Sequence, residues 1–265
     1  MPAVTRLIGI GRLVCTTIAV VCALGGRASP AEPLRLLTDL YLGRGRVNDD
    51  TAPGPGVEVV RQVLAAMGRD VSFELFPPNR IWQMLARGER DGMVSTLRTS
   101  EREVICSFPD EPLAQTRWVV FVRTADVGKL KFSSFDDLVG HDVAVRGPVP
   151  GLFAQPMVSP ELWQFLRAHH NMVEMNSVSE GFRMLAAGRV DYVVSDLVFG
   201  RRDLASIGLS GTIEPLLSRD VFEAGVYVCF TKARVSPSLV DAFAHALKQF
   251  KQTEAFRAIY RKYSP

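Results

Sequence analysis

The sequence predicts an α/β protein built as two similar lobes, and three observations carry that prediction. A motif returns after one hundred residues: Leu85-Ala86-x-Gly88-x-x-Asp91-x-x-Val94-Ser95 aligns without a gap with Leu185-Ala186-x-Gly188-x-x-Asp191-x-x-Val194-Ser195. Each copy reads as the end of a helix, a glycine stop and a short buried strand, GMVS or YVVS, so the repeated unit is an αβ step. Strand-like and helix-like runs alternate around both copies, as layered α/β folds require. Two further apolar runs, Arg117 to Arg123 and Gly225 to Phe230, are placed to cross between the lobes. The expected division is residues 32–122 plus 224–265 for one lobe and 123–223 for the other, joined by a two-stranded hinge.

In chain order, Leu34 to Asp39 reads as a first strand with a polar end, followed by a Gly/Pro-rich loop from Gly43 to Gly56. Gly43-Arg-Gly45 lacks the third glycine and the following helix of a phosphate-binding fingerprint, and reads as surface loop. Val57 to Met67 has helical spacing and stops at Gly68; Val71 to Phe76 alternates as a strand. Pro77-Pro78-Asn79 opens the helix of the first repeat, with Ile81, Met84 and Leu85 facing the core and Trp82 read as packing. Arg117 to Arg123 is a strand, Phe135 to Leu138 a short helix, and His141 to Arg146 the first strand of the second lobe. Gly147-Pro-Val-Pro-Gly151 is a turn, Pro160 to His170 a helix with proline at its start, and Val173 to Met175 a strand leading into the second repeat. Ala224 to Thr231 follows a long loop as a strand, and Ser238 to Tyr263 is an amphipathic helical region.

Composition is that of a globular chain, 47% hydrophobic and 22% charged over 265 residues. Residues 1–31 stand apart: Arg6 and Arg12 precede the apolar run Leu13 to Leu24, and small residues follow. A cleavable secretory signal peptide is expected there, with an uncleaved anchor as the alternative that the short apolar run and polar flank disfavour. Its removal takes away Arg6, Arg12 and Arg27 and leaves 28 basic against 28 acidic residues. A neutral mature chain offers no electrostatic case for nucleic acid or a lipid surface. Cys15 and Cys22 lie in the signal. Cys106 and Cys229 remain, either as one disulfide or as two buried thiols. His169-His170-Asn171 suggests a metal only superficially, because adjacent histidines on a helix point apart; neither a metal nor another cofactor is expected.

Ligands in open α/β sheets sit beyond the carboxyl ends of the strands. After the first repeat's strand come Ser95, Thr96, Arg98, Thr99 and Arg102; after the second come Ser195 and Asp196. One lobe would offer cations and hydroxyls to a shared cleft, and the other a carboxylate. The same residues also fit a plainer reading, in which the repeat is a common packing solution, Ser100 to Glu103 a capped solvated turn and Asp196 a helix cap.

Six stretches in this order and spacing resemble the family 3 extracellular solute-binding proteins, the type II periplasmic binding fold that feeds ABC importers of polar amino acids. They are Leu34 to Asp39, Gly56 to Val59, Leu85 to Asp91, Thr99-Ser-Glu-Arg102 with Phe108 and Pro112, Phe135 to Val143, and Leu185 to Asp196. The resemblance implies a periplasmic monomer that binds an amino acid or related carboxylate and partners an inner-membrane permease. By position it gives Arg102 the ligand's carboxylate and Asp196 its ammonium, a match of planar fork to carboxylate and of acid to cation. Thr96, Arg98, Asp39, Tyr41 and Gly147 complete the expected ligand set. Four departures accompany it: Arg98 stands where the family has serine, Gly147-Pro-Val-Pro replaces Gly-Thr-Thr, Tyr41 only approximates the aromatic wall, and Pro78 falls where tryptophan is common. They also admit a more acidic or larger ligand than a standard amino acid, which remains the first expectation. Two other classes are consistent with the chain: a dehydratase-like enzyme on the same fold, with Glu58, Glu180 or Asp196 as acid or base, and a ligand-sensing partner of a receptor.

Overall fold

The computed structural model describes residues 32–39, 54–148 and 158–263. The expected signal peptide, Tyr41 with the rest of its loop, and the end of the turn from Val149 to Gly151 lie outside the described residues.

Strand β1 (Leu34–Asp39), helix α1 (Pro55–Ala66), β2 (Val71–Phe76), α2 (Pro78–Ala86) and β3 (Gly92–Leu97) form the first βαβαβ run, with β1 parallel to both β2 and β3. A single turn of helix, α3 (Ser100–Glu103), and the two-residue β4 (Cys106–Ser107) lead to the long β5 (Ala114–Arg123). After a 3-10 turn at Phe135–Leu138 come β6 (Val143–Arg146), α4 (Pro160–Ala168), β7 (Met172–Met175), α5 (Val178–Ala186) and β8 (Tyr192–Asp196), with β6 parallel to β7 and β8. The chain finishes with α6 (Leu197–Ser206), β9 (Ile213–Leu216), β10 (Phe222–Thr231), α7 (Pro237–Phe250) and α8 (Glu254–Tyr263).

The strand order is β2-β1-β3-β10-β5-β8-β6-β7. Two strands link its halves. β10 pairs antiparallel with β5 through Phe222 to Val226, then with β3 through Val226 to Phe230. β5 uses Ala114 to Trp118 for β10 and Trp118 to Phe121 for β8. The apolar clusters divide the same way. Val60, Leu64, Phe230 and Phe243 belong to one cluster and Leu37, Ile81, Leu85 and Cys229 to another, both built from the first and last parts of the chain. Phe132, Leu162 and Tyr192, and separately Phe121, Phe182 and Leu185, form two more from the middle. Each half is therefore a sheet covered on both faces, as parallel strands demand.

Helix α1 shows packing overriding propensity. Four of its five buried residues are valines, which lose rotamer freedom in a helix. Proline in its first turn favours the start, and burial of that face stabilises the rest by about 1.5–3 kcal/mol per side chain before entropy is counted.

The repeat is structural. Both glycines are left-handed, at φ 65° for Gly88 and 68° for Gly188. The N–H of Gly88 donates to Leu85 O and that of Glu89 to Met84 O; Gly188 donates to Leu185 O and Arg189 to Met184 O. These are two Schellman stops in the same register. Asp91 and Asp191 then tie the following strand to a basic residue elsewhere: Arg234 Nε lies 2.7 Å from Asp91, and Arg123 NH2 lies 3.3 Å from Asp191. Alanine at either glycine is expected to cost about 1–2 kcal/mol in urea denaturation, because a β-carbon is disfavoured at left-handed φ. The loss should be larger at position 88, where the new carbon meets Ala233 Cβ at 3.2 Å, than at 188, where the nearest atom is 4.0 Å away.

Several expectations are corrected in detail. The turn after β3 is capped by Thr99, whose hydroxyl accepts from Arg102 N, and not by Ser100. β6 begins at Val143 rather than His141, and α4 ends at Ala168, with His169 as its C-cap. The long loop before β10 contains β9, an edge strand on β5, and β4 is a further short strand on β10. Cys106 and Cys229 form a disulfide between β4 and β10, with Cα atoms 5.4 Å apart.

Candidate functional site

The repeats end at one cleft. Ser95, Thr96 and Leu97 of β3 and Ser195 and Asp196 of β8 line it, together with Arg146 at the end of β6 and the starts of α1, α5 and α6. At about 190 Å³ it suits a small molecule rather than a peptide. Ser95 holds φ 64°, a backbone conformation that is uncommon outside glycine and that clusters at ligand sites.

Asp196 is buried and has two roles. Its Oδ1 accepts the amide of Phe199 at 2.8 Å and so caps α6, while Oδ2 accepts the hydroxyl of Thr116 from β5. Burial raises its carboxyl to about 6, against the opposing pull of the helix amides at Phe199 and Val198. The cap that the plainer reading foresaw is present, and the same carboxylate faces the cleft.

Arg102 is placed differently. Its NH1 donates to Thr96 Oγ1 at 3.0 Å and to Leu97 O at 2.9 Å, and its guanidinium carbon sits 4.8 Å from the centre of the Trp82 ring. Nε is buried without a hydrogen-bond partner, and Arg102 is absent from the cleft lining among the described residues. Burial lowers its pKa to about 10, so it stays charged at neutral pH. The guanidinium stands behind Thr96 and orients that hydroxyl. Arg102→Ala is expected to lower folding stability by about 1.5–3 kcal/mol, the range for hydrogen bonds to a charged group, as measured in urea.

The other expected residues separate. Thr96 lines the cleft. Arg98 is on the outside, its Nε 2.5 Å from Glu103 with Asp110 near NH1. Asp39 is buried at the end of β1, and Gly147 lies against Glu174, where a β-carbon would meet Oε2 at 2.5 Å; neither is in the described lining. Tyr41 is outside the described residues. Of the acids nominated for catalysis, Glu58 accepts the hydroxyl of Tyr263 and Glu180 the amide of Asn176, both at helix starts. His169 Nδ1 meets Phe165 O, and no cluster of three metal-ligand side chains occurs among the described residues.

Sequence reasoning missed Arg146, Arg202, Trp118, Tyr260 and Tyr263, all of which line the cleft. Arg146 was available from the rule already applied to β3 and β8, since it ends a parallel strand. The tyrosines lie on α8, where helical spacing marks aromatic residues as core.

No curated protein matches the chain by sequence. Solved structures share its fold. A histidine kinase sensor domain with similarity to periplasmic binding proteins superposes with a TM-score of 0.68 at 20% identity, covering 89% of this chain and 99% of that one. An ancestral arginine-binding protein bound to arginine gives 0.67 at 19%, covering 89% and 99%. An ancestral amino acid-binding protein described as a precursor of cyclohexadienyl dehydratase gives 0.66 at 20%, covering 88% and 96%. Residues 46–265 match the bacterial extracellular solute-binding proteins, family 3, and the chain belongs to that family.

Proposed function

We propose that the protein is a periplasmic solute-binding protein that captures an amino acid or related carboxylate between two lobes and delivers it to an ABC importer. The observation that carries this reading is the cleft itself, formed where the equivalent ends of β3 and β8 converge in a chain of this family. The lobes would be residues 32–122 with 224–265, and 123–223, with β5 and β10 as the hinge. Ligand held by both would favour closure through contacts made only in the closed state. A disulfide suits an oxidising compartment, and no helix among the described residues is long and apolar enough to cross a membrane.

A thermal-shift screen of free amino acids and small carboxylates tests the reading. A true ligand at a hundredfold excess over its Kd contributes about 2.7 kcal/mol, roughly 5–10 °C for a chain of this size. If no amino acid or carboxylate raises Tm, the reading fails. The likeness to a sensor domain favours a second reading, in which a receptor rather than a permease detects the loaded protein. Co-purification of the loaded protein with the permease complex separates the two.

A further inference from the structure

We propose that this cleft selects an amino acid whose side chain is aromatic or otherwise large and apolar, with Arg202 as the anchor for the ligand's acid group. The inference deepens the solute-binding reading and rests on it.

The wall of the cleft is apolar for reasons visible in its hydrogen bonds. Tyr260 and Tyr263 both line it, yet neither offers its hydroxyl to a ligand. Tyr260 donates to Leu113 O at 3.3 Å, and burial pushes its phenol up to about 12. Tyr263 donates to Glu58 Oε1 at 2.7 Å and accepts from Gly54 N at 3.2 Å. With their polar ends engaged on the protein, the tyrosines contribute ring surface. Trp118, Phe199 and Val226 extend that surface. A polar side chain placed here would leave water for groups that do not hydrogen-bond it, whereas an apolar one gains the burial.

Arg202 supplies a positive charge beside that wall, as Arg146 does at the end of β6. It projects from α6, lines the cleft, and has its guanidinium carbon 5.7 Å from the centre of the Tyr263 ring. No carboxylate pairs with it among the described residues. A guanidinium over the aromatic wall of the cleft favours a planar anion. Trp118 adds a donor to the same wall: the residue is only 8% exposed and its Nε1 is buried without a partner. Arg102, the cation expected by position, is engaged behind Thr96.

Calorimetry on the purified protein with L-phenylalanine, L-tryptophan and L-leucine against L-glutamine, L-glutamate and L-arginine tests the proposal, with Arg202→Gln and Arg202→Lys as variants. Binding of the apolar set at least tenfold tighter than the polar set is expected. Arg202→Gln should weaken phenylalanine about tenfold or more, with partial recovery in Arg202→Lys. Tighter binding of a polar amino acid overturns the apolar class while leaving the solute-binding reading intact. Phenylalanine binding unchanged by Arg202→Gln overturns the anchor. If neither set binds, both the inference and the amino-acid reading fall.

Discussion

Replacing Cys106 and Cys229 together is expected to cost about 2–5 kcal/mol of folding stability, one of the largest effects of any substitution in this chain. The bond closes a loop with a sequence separation of 123, and in the chain-entropy account a loop of that length restricts the unfolded ensemble by nearly 5 kcal/mol. It also fixes β4 to β10 beside the irregularity between Tyr227 and Cys229, where the pairing with β3 shifts register. Both cysteines are buried, so the double alanine variant is the cleaner probe; a double serine would add two buried hydroxyls to the loss. Urea denaturation of the parent, oxidised and reduced, and of the alanine variant measures the effect. A difference below about 0.5 kcal/mol would mean that the reduced chain is already constrained where the bond forms.

Much of this architecture was legible because local chemistry and fold agree. The two Leu-Ala-x-Gly stops were readable since only a residue tolerant of left-handed φ ends a helix this way, and β2 was readable to the residue from its alternation. Strand β9 was not, because Pro215 sits inside it and proline argues against a central strand; it is an edge strand, the one place where proline is tolerated. The site was legible only in part. Position along the chain identified Thr96 and Asp196 as cleft residues, but where Arg102 points depends on Trp82 and on the carbonyl of Leu97, contacts that no spacing encodes. Tyr260 and Arg202 meet the cleft from two helices far apart in the chain, α8 and α6, and nothing local in either helix marks that encounter.

Asp196→Asn is expected to stabilise the ligand-free protein at neutral pH and to weaken ligand binding there. In the folded chain burial holds the carboxyl at about 6, whereas an unfolded aspartate ionises near 3.9. Below about pH 4 both states are protonated and the group adds no pH dependence. Between about pH 4 and 6 the unfolded chain loses its proton first, so stability falls as pH rises and levels off above 6. The full difference is on the order of 3 kcal/mol. Asparagine carries no such cost and caps a helix as well as aspartate does, so Phe199 N keeps its acceptor. Urea midpoints across pH 4 to 8 should therefore separate the variant from the parent progressively up to pH 6. A gap that is flat with pH would mean that Asp196 does not titrate in this range. The same energetics bear on binding. A ligand ammonium reaching Asp196 favours its ionised form, so binding near pH 6 should release a fraction of a proton and tighten as pH rises through that value. Calorimetry in buffers of different ionisation enthalpy reads the proton directly. Proton release in the parent, its absence in Asp196→Asn, and weaker binding by the variant at pH 7.5 together place the ammonium on this carboxylate. Equal affinity and no proton release in either would leave Asp196 as the cap of α6 alone.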